Sequence, residues 1–273
     1  MSVLHADLVV TGGRIATLDS KGRFVSALAA RDGKLIALGA DRDMDGLVGP
    51  GTKQVRLGGA TVIPGLIDSH AHPDTYAIRL VKWKPMSPAT VKSRDDFLGQ
   101  IDAATRASAP GQWFVGYRYN ERNSGGYPDM AELDRAGNGK PVFVLRTDGH
   151  LALANSAAFA ATGIPADAAD PPFGAFNRDP ETGAFTGLVR ETAAHLFLNQ
   201  IHAADTEAEI AEGMDKVLAE FLSYGITSIY NSLTSSRAIR AYQMMRDQNR
   251  LTARIGIIAS GREDGLIESL IAS

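Results

Sequence analysis

The chain has 273 residues, with 28 basic and 31 acidic side chains, six histidines and no cysteine, for a net charge of -3. This excludes a disulfide framework, a thiolate metal site and a cysteine nucleophile, and the balanced charge offers no basic stripe to a nucleic acid. No stretch reaches the roughly 20 apolar residues that cross a bilayer, and residues 1–7 lack the basic-then-apolar layout of a secretion signal, so the reading is a cytoplasmic protein with neither nucleic acid nor membrane as partner.

Leu8, Val9 and Val10 precede Thr11-Gly12-Gly13 and then Arg14-Ile15-Ala16-Thr17-Leu18, the pattern of strand, glycine turn and strand. Residues 24–30 read as a further strand, and Asp32-Gly33 as a tight turn before a strand over 34–38. A loop over 49–52 leads to short strands over 54–57 and 61–63. Residues 1–60 are therefore expected to form a small antiparallel β portion, with too few apolar side chains for a core of its own.

After Ile63 the period changes, and residues 61–273 read as alternating β and α. Residues 112–117 and 141–145 are strand-like, the second opened by Pro141 at its edge. Between them Ser93 can cap a helix with Phe97, Ile101 and Ala104 on one face. Thr206 and Glu209 form a capping box for a helix carrying Ile210, Met214, Val217, Leu218, Phe221 and Leu222, which Gly225 ends. A strand over 226–230, a helix over 236–248 and a strand over 252–258 complete a β-α-β order, which favours a parallel sheet with helices outside. Met214, Met244 and Met245 are read as core packing. Pattern alone leaves a closed barrel and an open sheet both open. Neither a dinucleotide fingerprint nor a phosphate loop is present.

The chemistry concentrates in Thr61-Val62-Ile63-Pro64-Gly65-Leu66-Ile67-Asp68-Ser69-His70-Ala71-His72, apolar first and polar last. Ligands bind beyond the C-terminal ends of parallel strands, and side chains two apart on extended backbone share a side. His70 and His72 can thus converge on one divalent ion, for which neutral imidazole is a borderline ligand. Two ligands do not complete a site, so others must come from elsewhere. Asp68 either anchors a histidine from behind the ligands or is structural. His150 follows the strand over 141–145 at another polar strand end, as a site contact or a packed loop residue. Glu191 by itself reads as a helix-start carboxylate. His195 and His202 are read as structural or exposed. Arg118, Tyr119 and Arg122 either hold an anionic group at the cavity mouth or are ordinary surface residues.

These motifs, in register, resemble the metal-dependent amidohydrolases. Residues 63–72 look like the family signature, and Arg146-Thr147-Asp148-Gly149-His150 with Asn155-Ser156, Gly187-Leu188-Val189-Arg190-Glu191 and Gly225-Ile226-Thr227-Ser228 match the "amidohydrolase 3" branch related to N-substituted formamide deformylase. The resemblance implies a (β/α)8 barrel, here only its first five strands or so, beside a small β-sandwich completed by a segment beyond this chain. It implies a divalent metal, zinc, held by His70, His72 and Glu191, with His150 as a catalytic residue facing substrate, Asp68 behind the ligands, and Arg118 and Tyr119 toward substrate. The implied reaction is hydrolysis of a C–N bond of a small molecule by metal-activated water. The family also carries later ligand histidines and a catalytic aspartate, and no histidine follows His202 here. Expectations therefore divide. The chain is a hydrolase, alone, as a homo-oligomer or completed by another chain; or it is an inactive fragment or pseudoenzyme acting through partner association.

Overall fold

A computed structural model describes residues 5–261 and 263–272; residues 1–4 of the N-terminal stretch read above, Arg262 and Ser273 lie outside the described residues. The chain divides into two units, one of Met1–Ile67 with Gly225–Ser228 and one of Asp68–Tyr224 with Ile229–Ser273.

The first unit holds β1 (Leu8–Thr11), β2 (Arg14–Ala16), β3 (Phe24–Val25), β4 (Ala27–Arg31), β5 (Lys34–Gly39), β6 (Lys53–Arg56) and β7 (Thr61–Val62). They form two sheets, ordered β5-β4-β1-β6 and β3-β2-β7. Asp32 and Gly33 both adopt positive φ, 50° and 72°, which gives the two-residue turn whose twist matches a hairpin; Arg31 pairs with Lys34 across it. The expected antiparallel character holds for β1 with β4 and β2 with β3. It fails for β1 with β6 and β2 with β7, which are parallel. These partners lie far apart in sequence, so the chain has the long crossover that parallel pairing requires. Ala6, Val9, Ala27, Ala29 and Met44 form the small core.

The chain then continues through β8 (Leu66–Ala71), α1 (Pro73–Lys82), β9 (Lys84–Pro85), α2 (Arg94–Ala107), β10 (Phe114–Tyr119), α3 (Met130–Gly137) and β11 (Val142–Arg146). After these come β12 (Leu151–Ala154), α4 (Ser156–Thr162), β13 (Gly174–Arg178), β14 (Phe185–Glu191), α5 (Thr192–His202) and α6 (Glu207–Ser223). The last elements are β15 (Ile226–Thr234), α7 (Ser236–Asp247), β16 (Arg254–Ala259) and α8 (Leu266–Ala272). Six strands form one sheet in the order β13-β14-β12-β11-β10-β9, and three form another in the order β16-β15-β8. The fold is a mixed α/β arrangement, and the described residues form no closed barrel. None of their helices is long and apolar enough to cross a membrane.

The six-stranded sheet changes character at β11. β9, β10 and β11 run parallel, linked through α2 and α3. β12 then returns antiparallel to β11, and β14 and β13 continue antiparallel. Only residues 147–150 join β11 to β12, too short a link for a helical crossover, so a hairpin is the only pairing open to them. β11 is buried along Val142, Phe143, Val144 and Leu145, the unbroken apolar run of a strand covered on both faces. Phe97, Ile101, Leu133, Val142, Val144 and Leu153 pack into one core cluster.

One helix, α6, fixes the position of α1. The capping box on α6 forms in both directions: Glu209 N–H donates to Thr206 Oγ1 at 3.2 Å and Thr206 N–H to Glu209 Oε2 at 2.9 Å. Gly213 of α6 then lets α1 approach closely, because a Cβ at 213 would lie 2.3 Å from the Ala77 carbonyl oxygen.

Candidate active site

β8 ends at Ala71, and His72 caps α1 with φ -130° and ψ 62°, followed by Pro73 in the first turn. Proline fits there because its missing N–H would have no helical partner. The switch from strand to helix therefore happens at His72, and both imidazoles sit at the strand's C-terminal end. Asp68 holds this corner by its backbone: its Oδ1 accepts the His70 N–H at 3.0 Å, and it bonds to neither ring.

Ser232 of β15 orients both rings. His72 Nδ1 lies 2.9 Å from the Ser232 carbonyl oxygen. A carbonyl only accepts, so Nδ1 carries the proton and Nε2 keeps its lone pair. His70 Nδ1 lies 3.2 Å from Ser232 Oγ, an arrangement that likewise turns Nε2 away. Backbone and hydroxyl partners of this kind fix ligand histidines in metal sites. The ring centroids are 5.3 Å apart and edge-on at 89°. A shared tetrahedral ion about 2 Å from each Nε2 would set the centroids about 5 Å apart, so the donor chemistry and spacing of the pair fit a divalent ion. Among the described residues no three His, Asp or Glu side chains group to hold one.

His150 and Glu191 form a second pair, with Nδ1 to Oε2 at 3.0 Å. β12 and β14 place them side by side, since Leu151 pairs with Arg190 and the Glu191 N–H donates to the His150 carbonyl. The hydrogen bond that His150 donates to Glu191, then the charge of that carboxylate, raises the His150 pKa above the usual histidine value. Glu191 sits at φ 50° and ψ -125° between β14 and α5, a conformation costly for a residue with a Cβ. It is the N-cap residue of α5 but bonds no helix N–H, and its carboxylate goes to His150 instead. Glu191 is thus not brought into a three-donor group with His70 and His72.

Arg118 and Tyr119 diverge. Arg118 is exposed, with φ 64° and its guanidinium carbon 5.8 Å from the Tyr76 ring centroid. Tyr119 is fully buried, its hydroxyl donating to Gly126 O at 2.7 Å and lying 2.6 Å from Ser124 Oγ. Burial pushes that phenol up to about 12. Its ring packs on Phe97, so it faces the core rather than a cavity mouth. The reason is a register shift between Gly116 and Tyr119 in the pairing of β10 with β11, which breaks the simple alternation of sides.

A cavity of about 430 Å³ opens at this end of the strands, lined by His72, Tyr76 and Arg79 of the β8–α1 segment, His195 and His202 of α5, and Ser232. Gly149, next to His150, also lines it. A groove of about 550 Å³ elsewhere, bounded by Met130, Phe159 and Phe185, is apolar; the one acid lining it, Asp134, is bonded to Ser156. The imidazoles, not size, mark the first cavity as the functional candidate.

Behind it, His202 Nδ1 lies 2.6 Å from Asp205 Oδ2 and Lys82 Nζ 3.0 Å from Asp205 Oδ1. Lys82 also reaches Glu209 at 3.2 Å. Burial would raise the Asp205 carboxyl, but the hydrogen bonds from His202 and Lys82 outweigh it and hold the pKa below the usual range. Trp83 stacks on His202 with centroids 5.5 Å apart. Sequence reasoning passed over this set. The spacing of His202 and Asp205, three apart, was its one local signal; Ser232 had none, lying 160 residues from His72.

Comparison with known proteins gives concordant results. A family model described as the Amidohydrolase family matches residues 55–270. The chain is 32% identical over 225 residues to Protein LONG AFTER FAR-RED 3 of Arabidopsis thaliana, covering 82% of this chain and 38% of that protein. It is 26% identical over 250 residues to N-substituted formamide deformylase of Arthrobacter pascens, covering 87% and 44%. An uncharacterized metal-dependent hydrolase from Pyrococcus horikoshii OT3 is similar in fold, with a TM-score of 0.71 at 20% identity over 97% of this chain and 50% of that one. The chain thus spans half or less of the length of these three proteins.

Proposed function

From the premise that this chain belongs to the Amidohydrolase family, we propose that it is a metal-dependent hydrolase acting on the C–N bond of a small amide or related compound. The scaffold is read as part of a (β/α)8 barrel. The helix-linked parallel strands β9, β10 and β11 support that reading, as does the position of the imidazoles at a strand's C-terminal end. The observation that carries the function is the shared use of Ser232, which engages both Nδ1 atoms and turns the Nε2 atoms of His70 and His72 away from it, free to meet an ion.

His70 and His72 would hold the ion, with zinc the match for borderline nitrogen donors. When bound, it would lower the pKa of water toward neutrality and polarise a carbonyl. The protein's own groups do the rest. Ser232 fixes ring orientation. Glu191 favours the protonated form of His150, and in that form the ring, next to Gly149 of the cavity wall, would stabilise negative charge developing on a carbonyl oxygen. The cavity, about 430 Å³, suits a small molecule.

The test is release of amine from N-formyl and N-acyl amines by the full chain supplied with zinc. Turnover should vanish with chelator and fall by at least about 100-fold in His70→Ala and His72→Ala. Turnover indifferent to chelator and to both substitutions contradicts the reading.

A further inference from the structure

The cavity holds a cation that none of the preceding chemistry uses. We propose that Arg79 recognises a carboxylate on the small molecule that enters this cavity, making anionic compounds its preferred ligands. The inference takes from the hydrolase reading only that the bound molecule is a substrate.

Arg79 lies seven residues beyond His72, on the face of α1 that also carries Tyr76 into the cavity. Seven residues span roughly 10 Å of helix, and Arg79 and His72 line the same cavity. A ligand spanning the two is the size of a small organic acid.

The charge is uncompensated. Among the described residues no carboxylate lies within 4.0 Å of Arg79, and its Nε is shielded from solvent with no hydrogen-bond partner. Asp205, the partner of Lys82 of α1, is already shared with His202. Arginine cannot escape by losing its proton, and a charge held out of water without a partner is costly. Burial accordingly pulls its pKa below the usual arginine value.

The guanidinium is positioned but not consumed. Its central carbon lies 5.3 Å from the Trp83 ring centroid, and Trp83 is itself stacked on His202. A fork held through its face keeps its N–H edges for a planar, bidentate acceptor. Lys82, the neighbouring cation on α1, is spent on Asp205 and Glu209. One fork of parallel N–H donors matches the planar edge of a carboxylate.

The experiment is calorimetric titration of the full chain with N-acetylglycine and with its uncharged analogue N-acetylglycinamide. Wild type should bind the carboxylate at least about tenfold more tightly. Arg79→Met should erase that preference, and Arg79→Lys, which keeps the charge but not the fork, should retain part of it. Equal affinity for the two probes, no measurable binding of N-acetylglycine by wild type, or stronger competition by inorganic phosphate overturns the assignment. So does an undiminished preference in Arg79→Met with an unchanged circular dichroism spectrum. The two wild-type titrations need no variant, so a folding defect in Arg79→Met leaves the test intact. Metal-dependent turnover without a carboxylate preference removes only the Arg79 assignment; a carboxylate preference without metal-dependent turnover removes only the hydrolase reading.

Discussion

Replacing Gly213 by alanine sets two well-measured effects against each other. In an open helix interior, glycine to alanine stabilises by about 1 kcal/mol. At position 213 the new Cβ would sit 2.3 Å from Ala77 O, 2.5 Å from Ala77 C and 2.7 Å from Ala77 Cα. All three are backbone atoms and cannot rotate away, so α1 and α6 must part by roughly 1 Å to restore ordinary contact. Forcing a methyl group into packed structure costs about 1–3 kcal/mol or more, which outweighs the propensity gain. Gly213→Ala should therefore destabilise the chain by about 1–2 kcal/mol net in urea unfolding. The matched control is Gly99→Ala in α2, where a Cβ meets nothing within 4 Å; it should stabilise by about 0.5–1 kcal/mol. Because α1 carries Arg79 and is capped by His72, the Gly213 variant should also bind zinc more weakly. Stabilisation by Gly213→Ala equal to that by Gly99→Ala would refute the claim that α6 sets the position of α1.

Two further predictions concern charge. Arg146 grips Glu121 with two contacts of 2.8 Å and holds its pKa at about 2 against the usual 4.5. The group is depressed, so its contribution is fully present above pH 4.5 and is lost as pH falls toward 2; its upper bound is roughly 3 kcal/mol. Acid unfolding of wild type and Glu121→Gln should show a stability difference that shrinks over this window; a constant difference contradicts the pairing. For His150 the shift is upward, so the pairing with Glu191 contributes below the unfolded value of 6.5 and fades as pH rises through the higher folded value. A proton NMR titration should place its midpoint above 6.5, and Glu191→Gln should bring it down; an unmoved midpoint in the variant would contradict the contact.

What could be read from the sequence was what is local. The Thr206–Glu209 box and the apolar stripe behind it need only neighbours within one or two turns, and α6 begins at Glu207. The His70-x-His72 pattern was legible because a strand's alternation and the polar turn after it are both short-range. Ser232 was not, because β15 was expected to stop at Tyr230 and runs to Thr234. The return of β12 was missed because Leu151-Ala152-Leu153-Ala154 is too short to declare a period, and Tyr119 was misplaced because a register shift cannot be seen in composition. Arg79 had a signal, its helical spacing from His72 and Tyr76, but the absence of a counter-ion is a tertiary fact.

The central claim is that His70 and His72, oriented by Ser232, grip one divalent ion through Nε2. Metal content of the purified full chain, reconstituted with zinc and desalted, measures this directly. Wild type should hold about one ion per chain, with loss in His70→Ala and in His72→Ala at unchanged helical content. Equal zinc in wild type and both variants would contradict it.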